Sequence, residues 1–113
     1  MDVVGRAAVA RGDVWLVSLD PTQGSEIRKT RPCVVVSPDE MNPHLNTVLV
    51  APMTTGNRPA PYRIDVDFQG KSGRILLDHL RSVDKMRLVK RVGQLDAVTL
   101  SRALSALQSL FTE

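Results

Sequence analysis

The sequence predicts a mainly β (α+β) chain, a small antiparallel barrel or twisted sheet of five to seven strands with one C-terminal α-helix packed on it. Three observations carry this. Short β-branched and apolar runs recur between turn signals. Tyr62, Ile64, Val66 and Phe68 alternate with Arg63, Asp65 and Asp67 in the period of a half-buried strand. After Asp96 the apolar period becomes that of a helix. With 113 residues, 42% of them apolar and 24% charged, the chain has room for one hydrophobic core.

The elements follow in order. Residues 14–19 (Val-Trp-Leu-Val-Ser-Leu) form the first strand, stopped by the turn signal Asp20-Pro21-Thr22 before Gly24. Residues 31–37 form a second run. Pro32 has no amide donor, so it belongs at a strand start or on an edge, and it keeps Arg31 extended. Residues 47–53 are a third run, arrested by Thr54-Thr55-Gly56-Asn57; residues 38–46, with two prolines and two asparagines, have space for one short helical turn at most. The alternating stretch to Phe68 is the fourth strand. Residues 73–80 give a fifth run, on which His79 shares a face with Ile75 and Leu77 as a partly buried histidine. A charged turn, residues 84–87, then precedes a weaker sixth run at residues 88–95. Leu100, Ala103, Leu104, Leu107, Leu110 and Phe111 line one face of a closing helix, with Asp96 as its N-cap.

Composition narrows the function. A net charge of +3 is too small to attract phosphate by total charge, so placement must do it. Two stretches are locally basic: Arg28, Lys29 and Arg31 against Glu26, and Arg81, Lys85, Arg87, Lys90 and Arg91 against Asp84. The single Cys33, in an apolar run, excludes an internal disulfide and multi-cysteine zinc patterns and reads as core. His44 and His79 are the only histidines and have no metal-ligand spacing, so neither metal nor cofactor is expected. The first ten residues are too few and too interrupted, by Gly5 and Arg6, to span a bilayer, and a cytoplasmic protein is expected.

The segment from Gly24 to Pro32 is longer than a tight hairpin needs, and residues 51–55 end a neighbouring strand in two hydroxyls, so a guanidinium and a hydroxyl can meet at one phosphate. At this point the chain resembles the MazF/PemK mRNA interferase toxins. The shared segments are Arg11-Gly12-Asp13-Val14-Trp15, Asp20-Pro21, Gly24-Ser25-Glu26, Arg31-Pro32, Ala51-Pro52-Met53-Thr54 and the stretch from Leu77 to Asp84, in matching order and spacing. The resemblance implies an SH3-like barrel over residues 11–113 behind an N-terminal extension of residues 1–10. It also implies a homodimer, a cognate acidic antitoxin and metal-independent cleavage of single-stranded RNA. By position it makes Arg31 and Thr54 the catalytic arginine and threonine.

Chemistry qualifies those roles. An arginine fork suits the extra charge that develops on a phosphate in the transition state. With a reference pKa above about 12 it is a poor proton acceptor, so Glu26 is the candidate to take the 2′-hydroxyl proton or to orient the guanidinium. Ser25, Arg28, Lys29, Thr55, Asp78 and Arg81 complete the set as RNA contacts. In Kid-type members the position of Asp78 takes part in the site together with an arginine two residues earlier; here that residue is Leu76, and a histidine of some relatives is Ser25, which favours the Arg31 and Thr54 arrangement. Two other classes stand beside this one. A CcdB-like gyrase poison acts through a C-terminal Trp, and this chain has none after Trp15; a peptide-binding SH3-like module needs an aromatic groove, and only four aromatics are present.

Overall fold

The computed structural model describes residues 8–19, 29–56 and 59–113. Seven strands and one helix lie among them: β1 Asp13–Ser18, β2 Thr30–Val35, β3 Thr47–Thr54, β4 Arg63–Phe68, β5 Lys71–Leu76, β6 Arg81–Asp84, β7 Leu88–Gln94 and α1 Ala97–Leu110. All pairings are antiparallel, in the order β4-β5-β3-β2-β1-β7. The mainly β expectation with a C-terminal helix holds, but the sheet does not close.

β3 is the hub. Along one edge it pairs with β2; along the other it takes β6 beside its first half and β5 beside Met53 and Thr54. The end strands β4 and β7 share no ladder, and side chains bridge them instead. The amide of Gln69, in the β4–β5 turn, donates to the Val92 carbonyl at 2.6 Å, and Phe68 sits so close over Gly93 that a Cβ there would lie 2.8 Å from the ring. Two irregularities in the β1–β7 register add the local twist that curls the sheet.

The central strands are buried on both faces, which is why residues 33–36 read as a continuous apolar run rather than an alternating one. Trp15, Val17, Cys33, Val35, Val48 and Val50 build one core; Val14, Val34, Ala51, Met53, Val66 and Ile75 build the other, under Leu100, Ala103, Leu104 and Leu107 of α1. Asp96 caps the helix as expected, accepting from the Thr99 amide at 3.0 Å and from its hydroxyl at 2.7 Å.

The Arg11-Gly12-Asp13 motif is a structural corner. Gly12 has φ +93°, its amide donates to the Val35 carbonyl, and its own carbonyl accepts from Leu95. The buried Asp13 accepts from the Ala10 amide and pairs with Arg91 Nε at 3.2 Å, while Arg11 Nε donates to the Val36 carbonyl. Three chain segments are tied there by one tripeptide.

One stretch departs from expectation. The run read as a single strand over residues 73–80 begins earlier, at Lys71, ends at Leu76, and gives way to a 3-10 turn over Leu77–His79. His79 therefore does not alternate with Ile75 and Leu77 on one strand, although it is half-buried. The cause is tertiary: β5 and β6 lie along the same edge of β3, and the chain must step from one to the other. β6 itself went unread, because Val83 is its one buried residue and supplies no pattern. The turn foreseen at residues 84–87 holds as Asp84 capping the 3-10 turn Lys85–Arg87.

Candidate active site

Strand register brings the two leading residues together. β2 and β3 pair Val35 with Val50, Val34 with Ala51 and Cys33 with Pro52; carried on two residues past the ladder, the same register sets Arg31 across from Thr54. Arg31 is also the partner of Val17 on β1. By the pleat, Arg31 lies on the Cys33 side of β2 and Thr54 on the Val50 side of β3, where the first core runs out toward solvent. Arg31 is exposed and Thr54 half-buried. Pro32 donates nothing to the ladder, and the buried Cys33 thiol donates to the Arg31 carbonyl at 3.6 Å. Burial pushes that thiol up to about 12, against a smaller opposing pull from the Arg81 charge.

The row continues beyond Thr54. Arg74 on β5 is Thr54's register partner and is itself opposite Asp65 on β4, to which its Nε lies at 3.1 Å. Sequence reading missed Arg74. It was visible as a cation within a predicted strand, but nothing in the sequence says which strand that one meets. A cleft of about 580 Å³ opens beside it, lined by Asp65, Gly73, Arg74, Asp96, Thr99 and Arg102; it adjoins the Thr54 end of the row and not Arg31.

The remaining candidates are placed as follows. Ser25, Glu26 and Arg28 lie outside the described residues. Lys29 is exposed, with φ +68°, and its carbonyl accepts from the Leu19 amide at 3.0 Å. Thr55 is exposed and its carbonyl accepts from the Thr54 hydroxyl at 3.2 Å. Arg81 is half-buried, and its guanidinium points at the Leu19 carbonyl.

Asp78 is held by the Arg63 fork, with Nε to Oδ1 at 3.1 Å and Nη2 to Oδ2 at 2.8 Å, and these bonds hold its carboxyl below the usual range. Arg63 is the register partner of Leu76. Position 76, two residues before Asp78, is leucine, and the guanidinium beside Asp78 comes from the adjacent strand. His79 Nε2 lies 3.8 Å from the same carboxylate.

An open, curled antiparallel sheet of seven strands backed by one C-terminal helix defines the class of small mainly β domain to which the chain belongs. Residues 10–111 match the family of PemK-like, MazF-like toxins of type II toxin–antitoxin systems, and the chain belongs to that family. It is 33% identical over 113 residues to the endoribonuclease PemK of Escherichia coli, across 95% of this chain and 85% of that one. It is 37% identical over 90 residues to the endoribonuclease MazF of Staphylococcus epidermidis, across 74% and 75% of the two chains. The crystal structure of MazF from Deinococcus radiodurans superposes with a TM-score of 0.77 at 30% identity, covering 90% of this chain and 94% of that one. The MazE–MazF structure from the same organism gives 0.77 at 26% identity, with 93% and 96% covered. No helix among the described residues is long and apolar enough to cross a membrane.

Proposed function

We propose that the chain, an endoribonuclease toxin of a toxin–antitoxin pair, cuts single-stranded RNA at selected sequences without a metal ion, by attack of a ribose 2′-hydroxyl on the adjacent phosphate. The 2′-hydroxyl loses its proton to a base as the 2′-oxygen to phosphorus bond forms, the bond to the 5′-oxygen breaks and that oxygen takes a proton from water, and the ends are a 2′,3′-cyclic phosphate, or the 3′-phosphate from its hydrolysis, and a 5′-hydroxyl. The observation that carries this is the β2–β3 register, which, extended two residues beyond its last pair Cys33–Pro52, aligns Arg31 near the start of β2 with Thr54 at the end of β3.

Each group has a job its chemistry suits. The Arg31 fork donates two hydrogen bonds to non-bridging oxygens and stabilises the charge that builds in the pentacoordinate transition state. The Thr54 hydroxyl holds a third position on the phosphate. Glu26 takes the 2′-hydroxyl proton or orients the guanidinium. Ser25, Arg28, Lys29 and Thr55 contact the flanking strand, the cations through phosphates. Asp78, engaged by Arg63, meets RNA as part of an ion pair rather than as a free carboxylate. The assembly we propose is a cytoplasmic homodimer neutralised by an acidic antitoxin; the MazE–MazF complex of D. radiodurans supports the antitoxin half.

The test is incubation of a long single-stranded RNA with the protein in excess chelator, the fragment ends mapped and Arg31→Ala run alongside. Cutting with 5′-hydroxyl ends that falls at least about a hundredfold in the variant is expected from losing one transition-state donor. Undiminished cutting by Arg31→Ala, or 5′-phosphate ends, overturns the mechanism. Inhibition of DNA gyrase without RNA cleavage overturns the endonuclease reading in favour of a binding toxin.

A further inference from the structure

We propose that Arg81 and Arg87 are positioning residues that clamp the neck of the segment between β1 and β2, and so fix Arg31 against Thr54, rather than contacts to RNA phosphate. Arg87 Nη1 donates to the Ser18 carbonyl at 3.0 Å and Arg81 Nη1 donates to the Leu19 carbonyl at 3.4 Å. These are successive carbonyls at the point where β1 ends. The Leu19 amide in turn donates to the Lys29 carbonyl, which closes the neck from the other side. Two residues onward, Arg31 is held as the register partner of Val17. The neck, the start of β2 and the catalytic arginine are therefore one hydrogen-bonded unit with two guanidinium tethers.

The tethers are themselves anchored. Arg81 opens β6 opposite Val50 on β3, the strand that ends in Thr54. Arg87 ends the 3-10 turn capped by Asp84, whose next residue, Lys85, donates from its amide to the Asn46 carbonyl at 2.8 Å and from its ammonium to the Asn42 carbonyl. The reach of Arg81 from β6 to the residue after β1 thus links the neighbour of β3, which bears Thr54, to the neighbour of β2, which carries Arg31. A guanidinium spent on a backbone carbonyl acts through geometry, and displacements near 1 Å in a reacting constellation are enough to slow chemistry. Leu19 is fully buried, so a loosened neck exposes apolar surface as well as freeing the chain.

This inference rests on the proposed role of Arg31, and its test separates the two. Arg81→Gln, Arg87→Gln and the double variant are compared with wild type for kcat and KM, and for binding to the mapped cleavage fragment carrying a 2′-deoxy sugar at the cut, over a range of salt. Amide hydrogen exchange at Leu19 is followed alongside that of Val34 and Ile75. A clamp predicts a kcat loss of about tenfold or more in the double variant with KM within about twofold. It also predicts faster exchange at Leu19 but not at the core amides, and an unchanged salt slope.

A slope shallower by about 0.7 for each arginine removed marks direct phosphate contacts and overturns the proposal. So does unchanged kcat, or exchange that rises uniformly across the core with kcat per folded molecule intact. Should the Gln variants fail to fold, Arg87→Lys keeps the charge without the rigid fork: lowered kcat with faster exchange at Leu19 supports the clamp, and unchanged kcat or unchanged Leu19 exchange overturns it. Leu19 exchange reads the clamp whatever Arg31→Ala does to cutting, so failure of the site reading and failure of the clamp are distinguishable.

Discussion

Gly73→Ala is the sharpest probe of how Thr54 is placed. An added Cβ at Gly73 would lie 2.3 Å from the Thr54 carbonyl oxygen and 3.1 Å from its carbonyl carbon. Both are main-chain atoms, so no side chain can swing away, and β5 must separate from the end of β3 by up to about 1 Å in a close-packed region. Overpacking of this kind costs about 2 kcal/mol. At roughly 2.1 cal/mol/K of unfolding entropy per residue, that lowers the Tm of a chain this size by about 8 °C. The same displacement moves the Thr54 hydroxyl relative to Arg31 and should lower the cleavage rate by up to about a hundredfold. Thermal unfolding followed by circular dichroism reads the first quantity, and single-turnover RNA cleavage well below the lowered Tm reads the second. A Tm within about 1 °C of wild type refutes the steric argument. A lowered Tm with an unchanged single-turnover rate refutes the link between this contact and the site.

Three further outcomes are expected. Gly12→Ala forces an L side chain to φ +93° and against Leu100, 2.9 Å away; because Leu100 can turn aside and the backbone cannot, urea unfolding should show a loss of about 1–2 kcal/mol with an unchanged m-value. The Cys33 thiol, buried and raised from 9.0 to about 12, should resist a disulfide reagent at pH 8 in the native protein and react at once in denaturant. Because its native value is raised, its contribution to stability is complete below pH 9 and is lost as pH climbs toward 12, which pH-resolved unfolding of wild type and Cys33→Ala checks. Asp96 is held below its ordinary value, first by the Thr99 amide and then by the Thr99 hydroxyl, so its capping stabilises the protein above that value and fades as pH falls through the lowered one. The Tm gap between wild type and Asp96→Ala should therefore be open at neutral pH and narrow in acid.

The candidate site was legible in part. Arg31 stood out because Pro32 marks a strand entrance, and Thr54 because it ends an apolar run in hydroxyls. That they could share a phosphate was an expectation; the β2–β3 register that aligns them is read from the structure alone. Arg74 was hidden for the same reason: its relation to Thr54 exists only through the β3–β5 register. The basic stretch around Arg81 and Arg87 looked like a surface for phosphate, but the fold turns the two guanidiniums onto the carbonyls of Leu19 and Ser18. A linear run of cations reports charge and not direction.

By itself the sequence determined the elements that rest on local chemistry. These are the helix behind its Asp96 cap, the alternating strand that ends at Phe68, the strand entrance at Pro32 and the mainly β class. The tertiary structure decided what depends on contacts between residues far apart in the chain. It ended the run read over residues 73–80 at Leu76, turned Leu77–His79 into a 3-10 step and began an unread strand, β6, at Arg81, because β5 and β6 must share an edge of β3. It left the sheet open, bridged by Gln69 and Phe68 over β7. It also set a Leu76-facing arginine, Arg63, onto Asp78. Periodicity shows which face of a strand is buried, but the pairing of strands is fixed by the packing of two cores at once, and that is written in no single segment.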